Sequence, residues 1–144
     1  MTLEFIKEPV VTQWMDFGWM EEGILLFKHK SEVYIDLATS QKLEKAVFDY
    51  TKGKEFTILS DLKITGFSAS KRAGKHIANS KLLKKQNKGV AVLLNSLGIR
   101  ILMNLFIQLN NPYYPIKYFT NAENAIYWLH ISLLKAKSEK ELVS

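Results

Sequence analysis

The sequence contains no cysteine. That absence excludes disulfide bonds, thiolate zinc sites, iron–sulfur ligation and cysteine nucleophiles. Small secreted domains often depend on disulfides, so a chain without them is expected in the cytoplasm. The three histidines, His29, His76 and His130, have no second ligand nearby in the sequence. We therefore expect neither a metal site nor a cofactor.

Long apolar runs are also missing. The most apolar stretch, residues 97–109, is interrupted by Arg100, Asn104 and Gln108. It is also shorter than the roughly 20 residues that cross a bilayer as a helix. Residues 1–9 include three charged side chains and lack the apolar core of a signal peptide. The sequence therefore predicts no transmembrane segment and no secretion signal.

Acidic residues are absent from the middle of the chain. Residues 1–61 hold eleven acids and seven bases, whereas residues 62–122 hold ten bases and no acid. This polarity indicates either a solvated basic face or a surface for an acidic protein partner, an anionic lipid surface or the acidic half of another copy. If this surface binds a partner or ligand, the residues expected to contact it are Lys71, Arg72, Lys75, Arg100 and Asn104. Aromatic residues are not interleaved with the lysines, so nucleic-acid binding is not expected.

Catalytic motifs are lacking as well. Ser60 ends a strand beside Asp61, but no Gly-x-Ser-x-Gly elbow surrounds it. The chain has no Gly-rich phosphate loop. No pair of carboxylates occurs in a setting suited to acid–base chemistry. We expect that the protein is not an enzyme.

The residues that are present predict one α/β domain over 1–144. The chain is 144 residues long and 47% hydrophobic, which is enough for a single core. Residues 12–29 read as a β-hairpin with Gly23 in its turn. Asp36 is placed to cap a first helix, which Gly53 would end.

Later strands alternate with helices. Buried-type strands are predicted at 56–59, 90–94 and 116–119. Ser68 or Ser70 is expected to cap a second helix, and Thr120 or Asn121 a last one. The predicted architecture is a mixed sheet of four to five strands with an N-terminal hairpin and about four helices packed on it. The polar tail, 136–144, is expected to fray.

The predicted third helix, 97–109, is apolar around most of its circumference. A helix on a sheet usually buries a narrower arc, so the surplus apolar surface needs a cover. The first helix or the hairpin could supply it. A dimer partner could instead pack on Ile101, Leu105 and Phe106. A third alternative is a groove for an acyl chain or other apolar ligand.

Besides the hairpin and the alternation of strands with helices, four segments are informative: Ile58-Leu59-Ser60-Asp61, Val90-Ala91-Val92-Leu93-Leu94-Asn95-Ser96, Asn104-Leu105-Phe106 running into Asn111-Pro112, and Pro115-Ile116-Lys117-Tyr118-Phe119-Thr120 with Ala125, Trp128 and Leu129. In these features the chain resembles the STAS or SpoIIAA-like family of bacterial proteins, including those labelled STAS/SEC14-domain. The resemblance covers roughly residues 20 to 130 and is mainly structural.

The resemblance implies a non-enzymatic interaction or regulatory module, expected to be homodimeric and to bind a protein partner. The alternative is a small binding protein for a lipid or apolar anion. Anti-sigma-factor antagonists carry a phosphorylatable serine beside an aspartate, but here Asp61 is followed by Leu62 and Lys63. Ser68 and Ser70 are the candidate phosphoacceptors, and the alternative is that they only cap the helix.

Overall fold

The computed structural model describes residues 2–63, 68–95, 100–101 and 110–143. These residues form a six-stranded sheet, a separate pair of strands, and helices on both faces of the large sheet. The strands are β1 (Val10–Val11), β2 (Met15–Glu21), β3 (Ile24–His29), β4 (Tyr34–Ile35), β5 (Phe56–Asp61), β6 (Ser68–Ala69), β7 (Asn87–Leu93) and β8 (Ile116–Phe119). The helices are α1 (Leu37–Thr51), α2 (Lys71–Ala78) and α3 (Ala122–Val143).

The predicted hairpin is present as β2 and β3. The two strands pair antiparallel, and Gly23 takes a φ of 85° in the turn between them. That backbone conformation strongly favours glycine. The short strand β1 adds to the outer edge of β2, with Val10 opposite Phe17.

The second half of the sheet is parallel. Its strand order is β1-β2-β3-β5-β7-β8, so β5 and β7 each have a neighbour on both sides. The sheet therefore has six strands rather than the predicted four to five. β4 and β6 form a further parallel pair that joins Tyr34 to Ser68. Two-residue strands carry no periodicity, so sequence patterns cannot reveal such pairings.

Alternating side chains separate two apolar layers. One layer faces α1 and contains Leu25, Ile58, Val90 and Val92 together with Val47 of the helix. The other layer faces α3 and contains Leu26, Leu59, Ala91, Leu93, Ala125 and Leu129. Because β5 and β7 are covered on both sides, their central residues are apolar in succession, namely Ile58 and Leu59 in β5 and residues 90–93 in β7.

Side chains cap the helices as predicted. Asp36 accepts a hydrogen bond from the Thr39 N–H at 2.8 Å, and Ser70 accepts one from the Ala73 N–H at 3.1 Å. Asn121, rather than Thr120, caps α3 through the Asn124 N–H at 3.0 Å. Each cap satisfies a donor that the first helical turn leaves without a partner.

One expectation needs correction: Ser68 does not cap α2, because it belongs to β6. The fraying expected for the tail from 136 stays a prediction; in the structure α3 continues to Val143, and Lys140 pairs with Glu55 at 3.1 Å. The predicted third helix is only partly described: Arg100 and Ile101 are helical, whereas 96–99 and 102–109 lie outside the described residues. The described residues therefore define the limits of three helices, whereas about four were predicted.

Candidate functional site: an apolar cavity beside a basic groove

A cavity of about 210 Å³ lies between the sheet and the helices α1 and α2. Most of its described lining is apolar, including Phe27, Leu43, Ile58, Val90, Val92 and Tyr114. The strand residues point here because they alternate with those that face α3. An engineered apolar cavity of about 150 Å³ takes up benzene, so this space is large enough for a small organic group.

A hydrogen-bonded pair, His29 and Ser60, lies on the cavity wall. The His29 Nε2 is 2.8 Å from the Ser60 Oγ, across the parallel strands β3 and β5. Part of the His29 surface is accessible, but protein atoms surround the ring, and this desolvation lowers its pKa to about 4. The imidazole is therefore neutral near pH 7 and offers a polar edge inside an apolar space.

A second polar cluster joins α1, α2 and the turn that follows α2. The Ser80 hydroxyl donates a hydrogen bond to Glu44, and the Glu44 Oε1 is 3.2 Å from the His76 Nε2. The side chains of Glu44 and His76 are 15% and 26% exposed. The His76 contact lacks hydrogen-bond alignment, so it is an ion pair only when the ring is protonated. All three residues line the cavity.

Two tyrosines close another part of the wall. Tyr113 and Tyr114 pack edge to face, with ring centroids 5.0 Å apart. Burial raises the pKa of Tyr113 to about 12 and raises that of Tyr114 further. Asn87 partly offsets the rise at Tyr113, but the two groups do not reach hydrogen-bond geometry. The Tyr113 hydroxyl is thus a buried donor that is not satisfied within the described residues.

An open groove lies beside the cavity and shares Glu44 and His76 with it. The groove is also lined by Arg72 and Lys75 of α2 and by Lys81 just beyond it. All three cations are exposed. The sheet, α1 and α2 therefore place an apolar space next to a positively charged one.

The structure brings together only some of the predicted binding residues. Arg72 and Lys75 lie in the groove, whereas Lys71 is exposed outside it. Arg100 lies in a different depression, beside Tyr118, and its charge opposes the rise that burial causes in the pKa of Tyr118. Asn104 lies outside the described residues.

The predicted dimer surface is described only at Ile101, which is 53% exposed. Leu105 and Phe106 lie outside the described residues. A different apolar row is exposed on α3, where Tyr127, Ile131 and Leu134 are 68%, 44% and 65% accessible. Their spacing places them on one face of the helix.

Sequence reasoning missed the polar pairs of the cavity. His29 and Ser60 each follow an apolar run near the carboxyl end of a strand, but Lys28 and Asp61 are polar neighbours there, so the sequence does not single the pair out. Their contact joins residues 31 positions apart, so it depends on strand register. Glu44 and Ser80 are separated by 36 positions and meet only when α1 packs on α2.

The described residues contain no cluster of three or more His, Asp or Glu side chains that could hold a metal ion. None of the helices formed by these same residues combines the length and apolarity needed to cross a membrane.

Comparison with known proteins gives one family and one fold. The family DUF7793, described as a domain of unknown function, matches residues 18–132. A crystal structure of an uncharacterized DUF3478-family protein from Shewanella loihica PV-4, with a SpoIIAA-like fold, superposes with a TM-score of 0.53. It is 16% identical, and the match covers 84% of this chain and 90% of that one. No curated protein matches the chain. The predicted SpoIIAA-like fold is thereby confirmed.

Proposed function

The chain belongs to the DUF7793 family, a domain of unknown function, and on that premise we propose that it is a non-enzymatic, STAS-like module that binds a small apolar ligand. The observation that carries the proposal is the apolar cavity of about 210 Å³ under α1 and α2. The proposal is related to the second sequence-based hypothesis, a small binding protein for a lipid or apolar anion.

An empty apolar cavity costs stability, because the atoms around it lose packing contacts. A ligand of suitable shape restores those contacts and removes its own apolar surface from water, at about 25 cal/mol per Å². Ligand binding to the folded state then raises the free energy of unfolding.

Polar groups in the cavity suit a binding role. Ligand pockets typically combine apolar walls with a few polar groups that fix orientation. The neutral His29–Ser60 pair and the Tyr113 hydroxyl are such groups. Because the pKa of His29 is lowered to about 4, the imidazole is a weak base at neutral pH and activates Ser60 poorly.

The first experiment is native mass spectrometry of the purified protein, followed by the same sample under denaturing conditions. A ligand retained from the cell appears as excess mass that disappears on denaturation. If the protein is purified empty, titration with 1-octanol, followed by thermal unfolding, is expected to raise the Tm.

Substitutions that fill the cavity make the test specific. Val92→Phe and Leu43→Phe are each expected to abolish the octanol effect by occupying the space. Val11→Phe is the matched control, since Val11 is 68% exposed on β1. If octanol binds both filled variants as well as it binds wild type, the cavity is not the site.

Non-enzymatic action has its own test. A fluorophosphonate probe labels serines that an adjacent base activates. We expect no labelling of Ser60 at neutral pH. Stoichiometric labelling that is lost in Ser60→Ala would show an activated nucleophile and overturn this part of the proposal.

A homodimeric interaction module is the second candidate function. The exposed row on α3 supports it, because exposed apolar patches can mark interfaces. Glu123 lies in the first turn of α3 and Lys137 near its end, so an antiparallel pair of these helices would bring opposite charges together. Ile131→Glu is expected to convert a dimer to a monomer in analytical ultracentrifugation. Ile101→Glu tests the surface first expected from the sequence, and a dimer that survives both changes uses neither surface.

A further inference from the structure

We propose that the ligand is an amphipathic anion whose apolar chain enters the cavity while its negative head group lies in the basic groove. This inference rests on the proposed function, because it names the ligand class of the same site. Its starting point is that the apolar cavity and the basic groove share two residues, Glu44 and His76. The two compartments are therefore adjacent, and the side chains of Glu44 and His76 form the boundary that one ligand would cross to occupy both.

Three cationic side chains line the basic groove. Arg72, Lys75 and Lys81 form no ion pair within the described residues. The segment between residues 62 and 122 contains no acidic residue in its sequence. The positive charge is therefore available to a ligand from outside.

Glu44 is the one carboxylate among the described residues that line the groove. Ser80 donates a hydrogen bond to one of its oxygens, and His76 lies 3.2 Å from the other. Both contacts draw the carboxylate toward neighbouring side chains. Three cations line the same groove, so the formal charge of its described ionised side chains is positive.

Cavity size sets the scale of the apolar part. If about 150 Å³ accommodates the six carbons of benzene, then a cavity of 210 Å³ accommodates roughly eight. Octanoate and octyl phosphate are therefore suitable probes. Both have an anionic head group; octyl phosphate carries an eight-carbon alkyl chain, and octanoate carries seven alkyl carbons beyond its carboxylate. The octyl chain without the charge is supplied by 1-octanol.

The test compares two triple variants with equal loss of charge. The groove variant carries Arg72→Gln, Lys75→Gln and Lys81→Gln. The control carries Lys71→Gln, Lys84→Gln and Lys85→Gln, three exposed lysines outside the lining of the groove. Isothermal titration measures the affinity of each probe for wild type, for both triple variants and for Val92→Phe.

We expect the groove variant to bind octanoate and octyl phosphate about tenfold more weakly than wild type, which corresponds to about 1.4 kcal/mol, or about 0.5 kcal/mol for each of three exposed charge contacts. Its affinity for 1-octanol is expected to change less than twofold. The control variant is expected to bind all three probes like wild type. If the groove substitutions weaken the binding of octyl phosphate more than that of octanoate, the natural head group is a phosphate. If they weaken the binding of octanoate more, it is a carboxylate.

Three results would overturn the proposal, and each has a different consequence for the apolar site and the proposed function. Equal binding of the anions to wild type and the groove variant, with octanol still bound, would place the head group elsewhere but keep the apolar site. Anion binding that persists unchanged in Val92→Phe would show surface attraction without insertion. Binding of none of the probes to wild type would remove the proposed function as well.

Discussion

The Nε2 atom of His29 and the Oγ atom of Ser60 are 2.8 Å apart on neighbouring parallel strands, at the wall of an apolar cavity. His29 ends β3, and Ser60 lies one residue before the end of β5. The pair thus places a neutral, hydrogen-bonded polar group where the surrounding side chains are apolar. Its burial makes the stability of the fold depend on pH.

The first prediction concerns acid sensitivity. Burial lowers the pKa of His29 from 6.5 to about 4, so the unfolded chain binds a proton between these values that the folded chain does not. The stability that His29 contributes, as free energy of unfolding, is fully present above pH 6.5 and is lost as the pH falls toward 4. The loss amounts to at most about 3 kcal/mol. His29→Gln should flatten this part of the pH dependence in urea unfolding measured at pH 7, 5.5 and 4.5.

Ser60→Ala is the control for that experiment. It removes the hydrogen bond but keeps the buried imidazole, so it should lower stability at pH 7 by about 1 kcal/mol and retain the acid sensitivity. If His29→Gln and wild type lose stability in parallel between pH 6.5 and 4, the imidazole is not desolvated in the folded protein.

The second prediction concerns Ser68 and Ser70, both of which the sequence offered as candidate caps of the second helix. Ser70 accepts a hydrogen bond from the Ala73 N–H at the start of α2, whereas Ser68 is exposed on β6. Ser70→Ala is expected to cost about 1 kcal/mol of unfolding free energy, the usual loss for an N-cap. Ser68→Ala is expected to change stability by less than about 0.5 kcal/mol. Equal losses in chemical denaturation would contradict the capping role.

The elements that the sequence predicted correctly are those with a local cause. The turn at Gly23 and the cap at Asp36 depend on single residues, and β7 depends on an unbroken apolar run. Features that need contacts between distant residues were not predicted. The pairing of β4 with β6 and the meeting of Glu44 with Ser80 arise only when the chain is packed. The apolar cavity belongs to the second group. The sequence predicts that helices pack on the sheet, but no local pattern shows where that packing leaves space.

The third prediction concerns the attachment of α1 to the hairpin. The Tyr50 hydroxyl accepts a hydrogen bond from the Trp19 N–H at 3.0 Å, near the irregularity in the pairing of β2 with β3. Tyr50→Phe leaves this partly buried N–H without a partner and should cost about 1 kcal/mol. Tyr34→Phe is the matched control, because Tyr34 is 59% exposed. A similar midpoint for both variants in urea would show that the hydrogen bond contributes nothing to stability.

The fourth prediction compares two glycines with nearly the same backbone conformation. Gly23 and Gly53 have φ values of 85° and 81°, so alanine is strained at both positions, by about 1 to 2 kcal/mol. A Cβ atom added at Gly53 meets no atom within 4 Å, whereas one added at Gly23 would lie 2.8 Å from the Leu133 Cδ1. Gly23→Ala should therefore destabilise the protein more than Gly53→Ala.

A double-mutant cycle isolates the steric part of that difference. Leu133→Ala removes the atom that an added Cβ would meet, so Gly23→Ala should cost less in that background than in wild type. Gly53→Ala should cost the same in both backgrounds, because its added Cβ contacts nothing there. The measurement is the free energy of unfolding in urea for all six chains. If the cost of Gly23→Ala is unchanged by Leu133→Ala, then backbone strain alone accounts for it, and the Leu133 side chain moves away from the added Cβ without a measurable cost.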